Sequence, residues 1–568
     1  MVELYSKKDM KLLEDNIDTI ITDARRVQLQ KTEPTLNEYK EMQKIILDFV
    51  KQKKRIIYGG FAWNTLIDKK NKDDVFYSKE FLEQPDIEFY SYKPLDDLKE
   101  LCDIFHKKKF KYVDGAKAHH PGTYTVRVNF LGVSDISYVP TNVFFKIPTI
   151  TVNDVKYVHP KWALVDILRQ YNDPIGSYWR IKKQLVRAHL LMKHYPMKTK
   201  SNLIKKKIDN KANKMLDYIR KEVIQGSDLL IFGYYAYQYY KYESEDKKKS
   251  NLYVPYYDVI STNFETDARN IYKKMQEYDK SIITEEYHPF FQFFGQRIRF
   301  IHNGKTVLNV YSNNHKCIPY LHIKSKDVKM TTYSFTIMTF LMLYFYSLVN
   351  SNKEEMNNYD YLMENLIKFR NTFLKKHNKS ILDDSPFKEF VINCLGKSKD
   401  ENRDFFLKMT SNRKNKKYPF SRYDPDPESK NNRIPEFVFP NFSGNKNTSR
   451  FSYAQLQKGG SNFFLDKEVS IKINKKNANR RKISSKLIKK INNKLNSFEK
   501  IKKCDAKIIV NKTITVESII TNEEDIKQEG NKIISWINTT LTNKLFPDIN
   551  CQIHNGYVFI TRNGINSM

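Results

Sequence analysis

The chain has 568 residues, 40% apolar and 14% aromatic, with 98 Lys plus Arg against 65 Asp plus Glu for a formal net charge of +33. The length exceeds what one hydrophobic core serves and points to two to four domains, and the apolar fraction excludes a disordered chain. The charge favours a polyanionic partner, nucleic acid ahead of an anionic membrane surface, with a share owed simply to frequent Lys, Asn and Ile.

In chain order, an amphipathic stretch precedes Pro34, and Thr35-Leu36-Asn37-Glu38 reads as a capping box at a helix start. Tyr39, Met42, Ile45, Ile46, Phe49 and Val50 recur at helical spacing, so one face of that helix is apolar. Residues 1–50 are thus an N-terminal helical segment. Residues 55–58 read as a short buried strand, Gly59-Gly60 as a tight turn and 61–66 as the next helix start. Residues 84–90 form a second strand, whose period of two sets Asp86 and Glu88 on one face and Ile87 and Phe89 on the other. A helix over 96–109 follows, then a hairpin over 122–129 and a strand over 133–139 that brings in Asp135.

The chain then repeats itself. The run Ile57-Tyr58-Gly59-Gly60-Phe61-Ala62-Trp63-Asn64 lines up with Ile231-Phe232-Gly233-Tyr234-Tyr235-Ala236-Tyr237-Gln238, and Asp86-Ile87-Glu88 with Tyr256-Tyr257-Asp258, while Asp135 falls opposite Asn309. The second copy keeps the scaffold and loses the chemistry: Gly60 becomes Tyr234, Asp86 becomes Tyr256, Asp135 becomes Asn309, and only Asp258 stands in the place of Glu88. Its tyrosines Tyr234, Tyr235, Tyr237, Tyr239 and Tyr240 read as core packing ahead of base stacking. Residues 331–350 approach membrane-span length, but their Thr, Ser and Tyr content makes them a buried core helix. Residues 360–410 read as helical, 411–462 as a long loop, and 471–503 as a basic segment, either a helix along phosphates or a solvated one. In the last stretch Asn555-Gly556 is a hairpin turn between Cys551-Gln552-Ile553 and Tyr557-Val558-Phe559-Ile560.

Phosphoryl transfer needs cations between the attacking hydroxyl, the α-phosphate and the leaving pyrophosphate, and carboxylates to hold them. Asp86 and Glu88, two apart on a strand, point the same way and can bridge a metal pair; Asp135 on a neighbouring strand completes the set and can draw the proton from the attacking 3′-hydroxyl. Gly59 and Gly60 let backbone amides at a helix N-terminus approach a triphosphate. Arg180, Lys182, Lys183 and Arg187 place positive charge at helical spacing, to grip triphosphate or RNA backbone or to form a solvated basic face.

The succession Gly59-Gly60, Asp86-x-Glu88, Asp135 resembles the DNA polymerase beta-like nucleotidyltransferase superfamily. More narrowly, IIYGGFAWNTL, QPDIEFYS, AHHPGTYTVRVNFLGVSDISYVP and HPKWALVDILRQYNDPIGSYWRIKKQLVR resemble the poly(A) polymerase catalytic subunits of large cytoplasmic DNA viruses, the mimivirus-like group and, more distantly, poxviruses. The resemblance covers residues 50–190 well and the second copy in part, and is not claimed for residues 400–568. It implies that Asp86, Glu88 and Asp135 are catalytic metal ligands for Mg²⁺ or Mn²⁺, that Gly59, Gly60 and Asn64 bind the nucleotide, and that ATP and an RNA 3′ end are the substrates. Glu at 88 departs from the common Asp-x-Asp form, which leaves the ligand type unchanged and puts the metal geometry in doubt.

The expected fold is α/β (α+β): two tandem nucleotidyltransferase-like units, each a mixed sheet with flanking helices and the second degenerate, plus a basic arm and a small C-terminal α/β unit. Boundaries fall at 1–50, 51–195 (catalytic), 196–400 (degenerate), 401–503 (arm) and 504–568. The expected reaction is template-independent addition of adenylate to RNA 3′ ends. A terminal uridylyltransferase, or a non-catalytic RNA-binding or processivity subunit, stays open, as does partnership with a second copy or a viral processivity subunit. The five cysteines, 102, 317, 394, 504 and 551, are scattered without a Cys-x-x-Cys pair, so neither a disulfide framework nor a zinc site is expected. The charged N-terminus lacks a signal peptide's apolar run, and a reducing, cytoplasmic setting without membrane partnership follows.

Overall fold

Thr35 caps the helix it was expected to start: its hydroxyl accepts from Glu38 N–H while Glu38 Oε2 accepts from Thr35 N–H at 2.6 Å. In the computed structural model two helices, α1 (Lys7–Lys31) and α2 (Leu36–Lys53), precede β1 (Ile56–Tyr58), α3 (Gly59–Asp68), β2 (Ile87–Ser91) and α4 (Pro94–Lys107). Then come β3 (Asp114–Lys117), β4 (Thr123–Val128), β5 (Leu131–Tyr138), α5 (Thr141–Phe144), β6 (Thr149–Val152), β7 (Val155–Val158), α6 (Pro160–Tyr171) and α7 (Ile181–His194). The structure describes residues 4–77, 85–118, 120, 122–196, 214–245, 254–313, 316–397, 422–428 and 441–447, together with the backbone of five strands between 468 and 562. Most of the expected arm lies outside the described residues.

The first sheet runs β16-β3-β4-β5-β2-β1-β7-β6, where β16 is Arg422–Tyr423. Alternation explains its burial: Ile57, Phe89, Val126 and Ile136 share one face of the sheet and are fully buried on the side that α2 and α4 cover, Phe89 lying by Phe49 of α2. A bidentate ion pair from Arg55 to Asp97, at 2.7 and 2.9 Å and buried, ties the entry to β1 to the first turn of α4. The expected hairpin at 122–129 proves to be two: β3 with β4, and β4 with β5 across Asn129-Phe130.

The second copy comprises α8 (Lys214–Tyr218), β8 (Leu230–Phe232), α9 (Gly233–Ser244), β9 (Tyr257–Ser261), α10 (Phe264–Tyr278), β10 (Ile283–Tyr287), β11 (Arg297–His302), β12 (Lys305–Ser312), β13 (Ile318–Ile323), β14 (Val328–Thr331), α11 (Tyr333–Val349), α12 (Lys353–Lys376) and β15 (Cys394–Leu395). Its order β12-β9-β8-β14-β13 reproduces β5-β2-β1-β7-β6 strand for strand, with the same antiparallel first pair and the same parallel neighbours. Register matches as well: Tyr58 faces Glu88 and Glu88 faces Asp135, as Phe232 faces Asp258 and Asp258 faces Asn309.

Residues 331–350 were expected to be a core helix, and α11 is one, with twelve of its side chains buried. Among the described residues no helix is long and apolar enough to cross a membrane. Two expectations are corrected. Helix was expected over 360–410, but α12 stops at Lys376 and Asn378 turns to positive φ; residues 398–410 lie outside the described residues. No disulfide was expected, but Cys317 and Cys394 are bonded, with Cα atoms 5.2 Å apart, where β13 pairs with β15. Sequence spacing could not show this because the bond joins residues brought together only by sheet pairing.

By its internal contacts the chain divides into two compact units, residues 1–262, 288–297 and 307–445 in one and 263–287, 298–306 and 446–568 in the other. The second holds a five-stranded sheet ordered β18-β19-β17-β21-β20, from β17 (Glu468–Asn474), β18 (Lys507–Val510), β19 (Thr513–Ile519), β20 (Ile549–His554) and β21 (Tyr557–Arg562). The β20–β21 pair is the hairpin read at Asn555-Gly556, while β17 is strand where a basic segment was to begin.

Candidate active site

Glu88 and Asp135 are direct neighbours because β2 and β5 run parallel with those residues in register, and Asp86 precedes β2 by one residue on the same face. Antiparallel β1 delivers Gly59 and Gly60 to the same end of the sheet. Gly59 has φ +73°, and a side chain there would collide with Glu88 Oε2, so only glycine keeps this corner open. Gly60 N–H donates to Glu88 Oε2 at 3.3 Å, and no side chain caps α3, leaving its first amides directed at the acidic edge. Asp135 Oδ1 accepts from Thr125 Oγ1 at 2.6 Å across the β4–β5 pair.

Electrostatics at this edge is crowded. Burial, then repulsion from Asp86 and Asp135, pushes Glu88 up to about 8. Loss of solvation also raises Asp86, whose side chain reaches the open rim, against the pull of its own backbone N–H, Lys183 and Arg187. Behind Glu88, Tyr58 stacks on Tyr90 at 4.0 Å, and the Tyr90 hydroxyl lies 3.5 Å from the half-buried Asp166 of α6.

The four cations expected along 180–187 divide. Arg187 is buried: its guanidinium donates to Tyr77 Oη at 3.0 Å, lies over Phe76 at 4.5 Å, and comes within 3.1 Å of where a Gly60 side chain would begin. Lys183, one turn earlier, shares its influence on Asp86. Arg180 and Lys182 are exposed, Arg180 lying by Trp179. Asn64 turns its amide oxygen to the N–H groups of Phe76 and Tyr77, at 2.9 and 3.0 Å, and so sets Tyr77 in place. Asp74, held by Lys193 at 2.6 Å and His194 at 2.5 Å, pins the same loop to α7. Tyr77, Thr125 and Asp166 escaped the sequence reading; each matters through a tertiary contact, and none carries a local signal.

Among the described residues no group of three or more His, Cys, Asp or Glu side chains is gathered closely enough to hold a metal ion as it stands. Glu88 leans on Gly60 and Asp135 on Thr125 instead. The donor set nonetheless suits a hard divalent cation: carboxylate oxygens on adjacent registered positions, with a mutual repulsion that a cation between them would relieve.

The second copy has the same corner, closed. Gly233 at φ +64° meets Asp258 as Gly59 meets Glu88, but Asp258 is buried and accepts from Asn309 Nδ2 at 2.9 Å. Tyr234 and Tyr256 pack edge to face at 5.4 Å where Gly60 and Asp86 stand in the first copy, and Asn358 of α12 bonds the Tyr234 hydroxyl.

A glycine corner facing strand carboxylates on a duplicated mixed sheet is the frame of a nucleotidyltransferase. Residues 44–177 match the poly(A) polymerase catalytic subunit family and residues 189–458 the C-terminal region of the mimivirus poly(A) polymerase catalytic subunit. The poly(A) polymerase catalytic subunit of Acanthamoeba polyphaga mimivirus is 30% identical over 491 residues, 78% of this chain and 83% of its own length. That of African swine fever virus is 33% identical over 178 residues, 30% of this chain and 37% of its own length. The crystal structure of the Megavirus polyadenylate synthase superposes with a TM-score of 0.72 at 31% identity, covering 79% of this chain and 94% of that one. The chain belongs to the viral poly(A) polymerase catalytic subunits, and it is a polynucleotide adenylyltransferase that extends RNA 3′ ends from ATP.

Proposed function

We propose that polyadenylation takes place at the acidic edge of the first copy, with Asp86, Glu88 and Asp135 as ligands of two divalent cations, Mg²⁺ or Mn²⁺. Bound there, such ions would supply charge stabilisation to the α-phosphate and the departing pyrophosphate. Gly59 and Gly60 admit the triphosphate to the first amides of α3, and Lys183 and Arg187 offset its charge. Asp135 accepts the proton of the RNA 3′-hydroxyl as that oxygen attacks the α-phosphorus. Glu88 would hold a cation with the carboxylate that here accepts from Gly60 N–H. The observation that carries this reading is the registered Glu88–Asp135 pair beside an open glycine turn.

We extend the proposal to organisation: a catalytic unit over 51–195, a degenerate unit over 196–400 that contributes structure rather than chemistry, an arm over 401–503 and a C-terminal unit over 504–568, acting in the host cytoplasm or virion. The test is extension of a short RNA primer with each of the four nucleotides, with and without divalent metal, for wild type and Asp86→Asn. Metal-dependent ATP incorporation lost in the variant is expected; an Asp86→Asn protein that extends normally refutes the site, and preference for UTP refutes adenylate as the natural donor.

A further inference from the structure

The β4–β5 hairpin overhangs the acidic edge. Ile87, the first residue of β2, pairs with Ser134, so Leu131, Gly132 and Val133 continue past the start of β2 at the end of the sheet where Asp86 and the glycine corner lie. Its two-residue turn is Asn129-Phe130, both at positive φ, 52° and 66°, a backbone for which Asn-Gly is the favoured pair. Phenylalanine thus occupies a position suited to glycine, and its ring is 68% exposed. A second strained aromatic joins it: Tyr112, at φ 50° and 59% exposed, stacks on Phe130 with centroids 4.4 Å apart and planes at 26°. Asn129 N–H donates to Lys111 C=O at 3.0 Å, clamping the two segments, and Phe110 is anchored edge to face on Phe105. Burial explains neither ring, since both face solvent. Two bulky residues in left-handed backbone, holding a stacked pair in water, are a feature that folding alone would not select.

The surrounding charge identifies the occupant. Lys107, Lys108, Lys109 and Lys111 are all exposed in the segment that leads into Tyr112; Lys111 is bonded to Glu33 at 3.0 Å with Glu38 also acting on it, and Lys108 lies 4.0 Å from Glu41, so lysines still outnumber carboxylates in this segment's surroundings. Exposed aromatic rings among lysines are the surface that single-stranded nucleic acid seeks, stacking bases on the rings and running phosphates past the cations. Phe130 is five residues from Asp135 along one strand, roughly 17 Å at the rise of an extended chain.

We infer that Tyr112 and Phe130 form a stacking platform for the RNA strand upstream of its 3′ end, holding the primer a few nucleotides behind the reacting hydroxyl. This rests on the acidic edge being the reaction centre. The platform sets primer affinity without touching the chemistry. A Phe130→Gly substitution separates this role from a structural one, because glycine suits the turn: the melting temperature should hold or rise.

The test uses the full chain, Mg²⁺, ATP and two primers, an oligoadenylate of about 12 nucleotides, within the span such surfaces cover, and triadenylate. Phe130→Gly and Tyr112→Gly should each raise KM for the longer primer by roughly tenfold, the worth of about one lost base stack, with kcat and triadenylate extension at wild-type values. An unchanged KM for the longer primer overturns the proposal, as does equal loss on both primers. So does a variant that keeps its RNA affinity but changes sedimentation, which would assign the rings to self-association. Asp86→Asn run alongside keeps the two readings apart: failure of the site leaves that variant active on both primers, whereas failure of the platform leaves it inactive and Phe130→Gly normal.

Discussion

In the first copy Gly59 and Gly60 hold the strand-to-helix corner open toward Glu88, with Lys183 and Arg187 near Asp86; in the second, Gly233 is followed by Tyr234, and Tyr234, Tyr256 and the Asp258–Asn309 pair fill the corresponding space. The backbone frame and register are the same in both. The two corners differ at four side chains, Gly60, Asp86, Glu88 and Asp135 against Tyr234, Tyr256, Asp258 and Asn309. Glu88 beside Asp135 is repulsive, whereas Asp258 accepts a hydrogen bond from Asn309.

The largest test of that contrast is matched substitution. Asp86→Asn and Asp135→Asn should lower the rate of AMP incorporation by about 10²–10³, as removal of a preorganised electrostatic group does. Asp258→Asn, in the other copy, should leave incorporation near wild type and lower only the melting temperature; comparable inactivation would show that the second copy takes part in chemistry.

Exchange at the corner comes next. Gly60→Tyr imitates Tyr234, but its side chain meets the Tyr77 hydroxyl and Arg187, so incorporation should fall by about a hundredfold, mainly through KM for ATP. The reverse change, Tyr234→Gly, should give no new activity and cost about 3–5 kcal/mol in denaturant unfolding, since it removes the edge-to-face pair and the Asn358 bond. A Tyr234→Gly protein of undiminished stability would mean the plug contributes nothing to packing.

Arg187→Met keeps much of the packing against Phe76 while removing the charge, and is expected to raise KM for ATP roughly tenfold with a smaller effect on kcat. An unchanged KM would assign the guanidinium to structure alone.

The smallest effect is on pH-dependent stability. Glu88 is raised from 4.5 to about 8, so between those values the folded chain holds a proton that the unfolded chain has released. Its contribution to stability therefore declines as pH rises through that window. Metal-free wild type should lose a few degrees of melting temperature relative to Glu88→Gln between about pH 5 and 8.5, and a constant difference would mean the carboxyl is solvated like a surface one.

Much of this was legible in the sequence because it was local or periodic. The Thr35–Glu38 capping box, the alternation that sets Asp86 and Glu88 on one face, and the Gly59 to Gly233 correspondence all follow from spacing. The sequence reading set Asp135 on a neighbouring strand, and the β2–β5 register brings it against Glu88. What was not legible depends on chain segments meeting in space. Nothing near Tyr77 announces that it will hold Arg187, and a four-residue cationic run does not say which of its members turns inward; only the packing of α7 on α3 selects Arg187. Cys317 and Cys394 are likewise joined by the β13–β15 pairing.

Helix α11 ties the two copies together. Phe345 packs on Trp162 of α6 at 4.7 Å, Met338 touches Asn172 just beyond α6, and Tyr333 packs edge to face on Tyr240 of α9. Lys161 of α6 also reaches out to pair with Asp360 of α12 and to lie over Tyr344. One helix is thus a common wall, buried on the side of the first copy and on the side of the second. Excising the second copy would strip that wall away and leave Trp162 facing water.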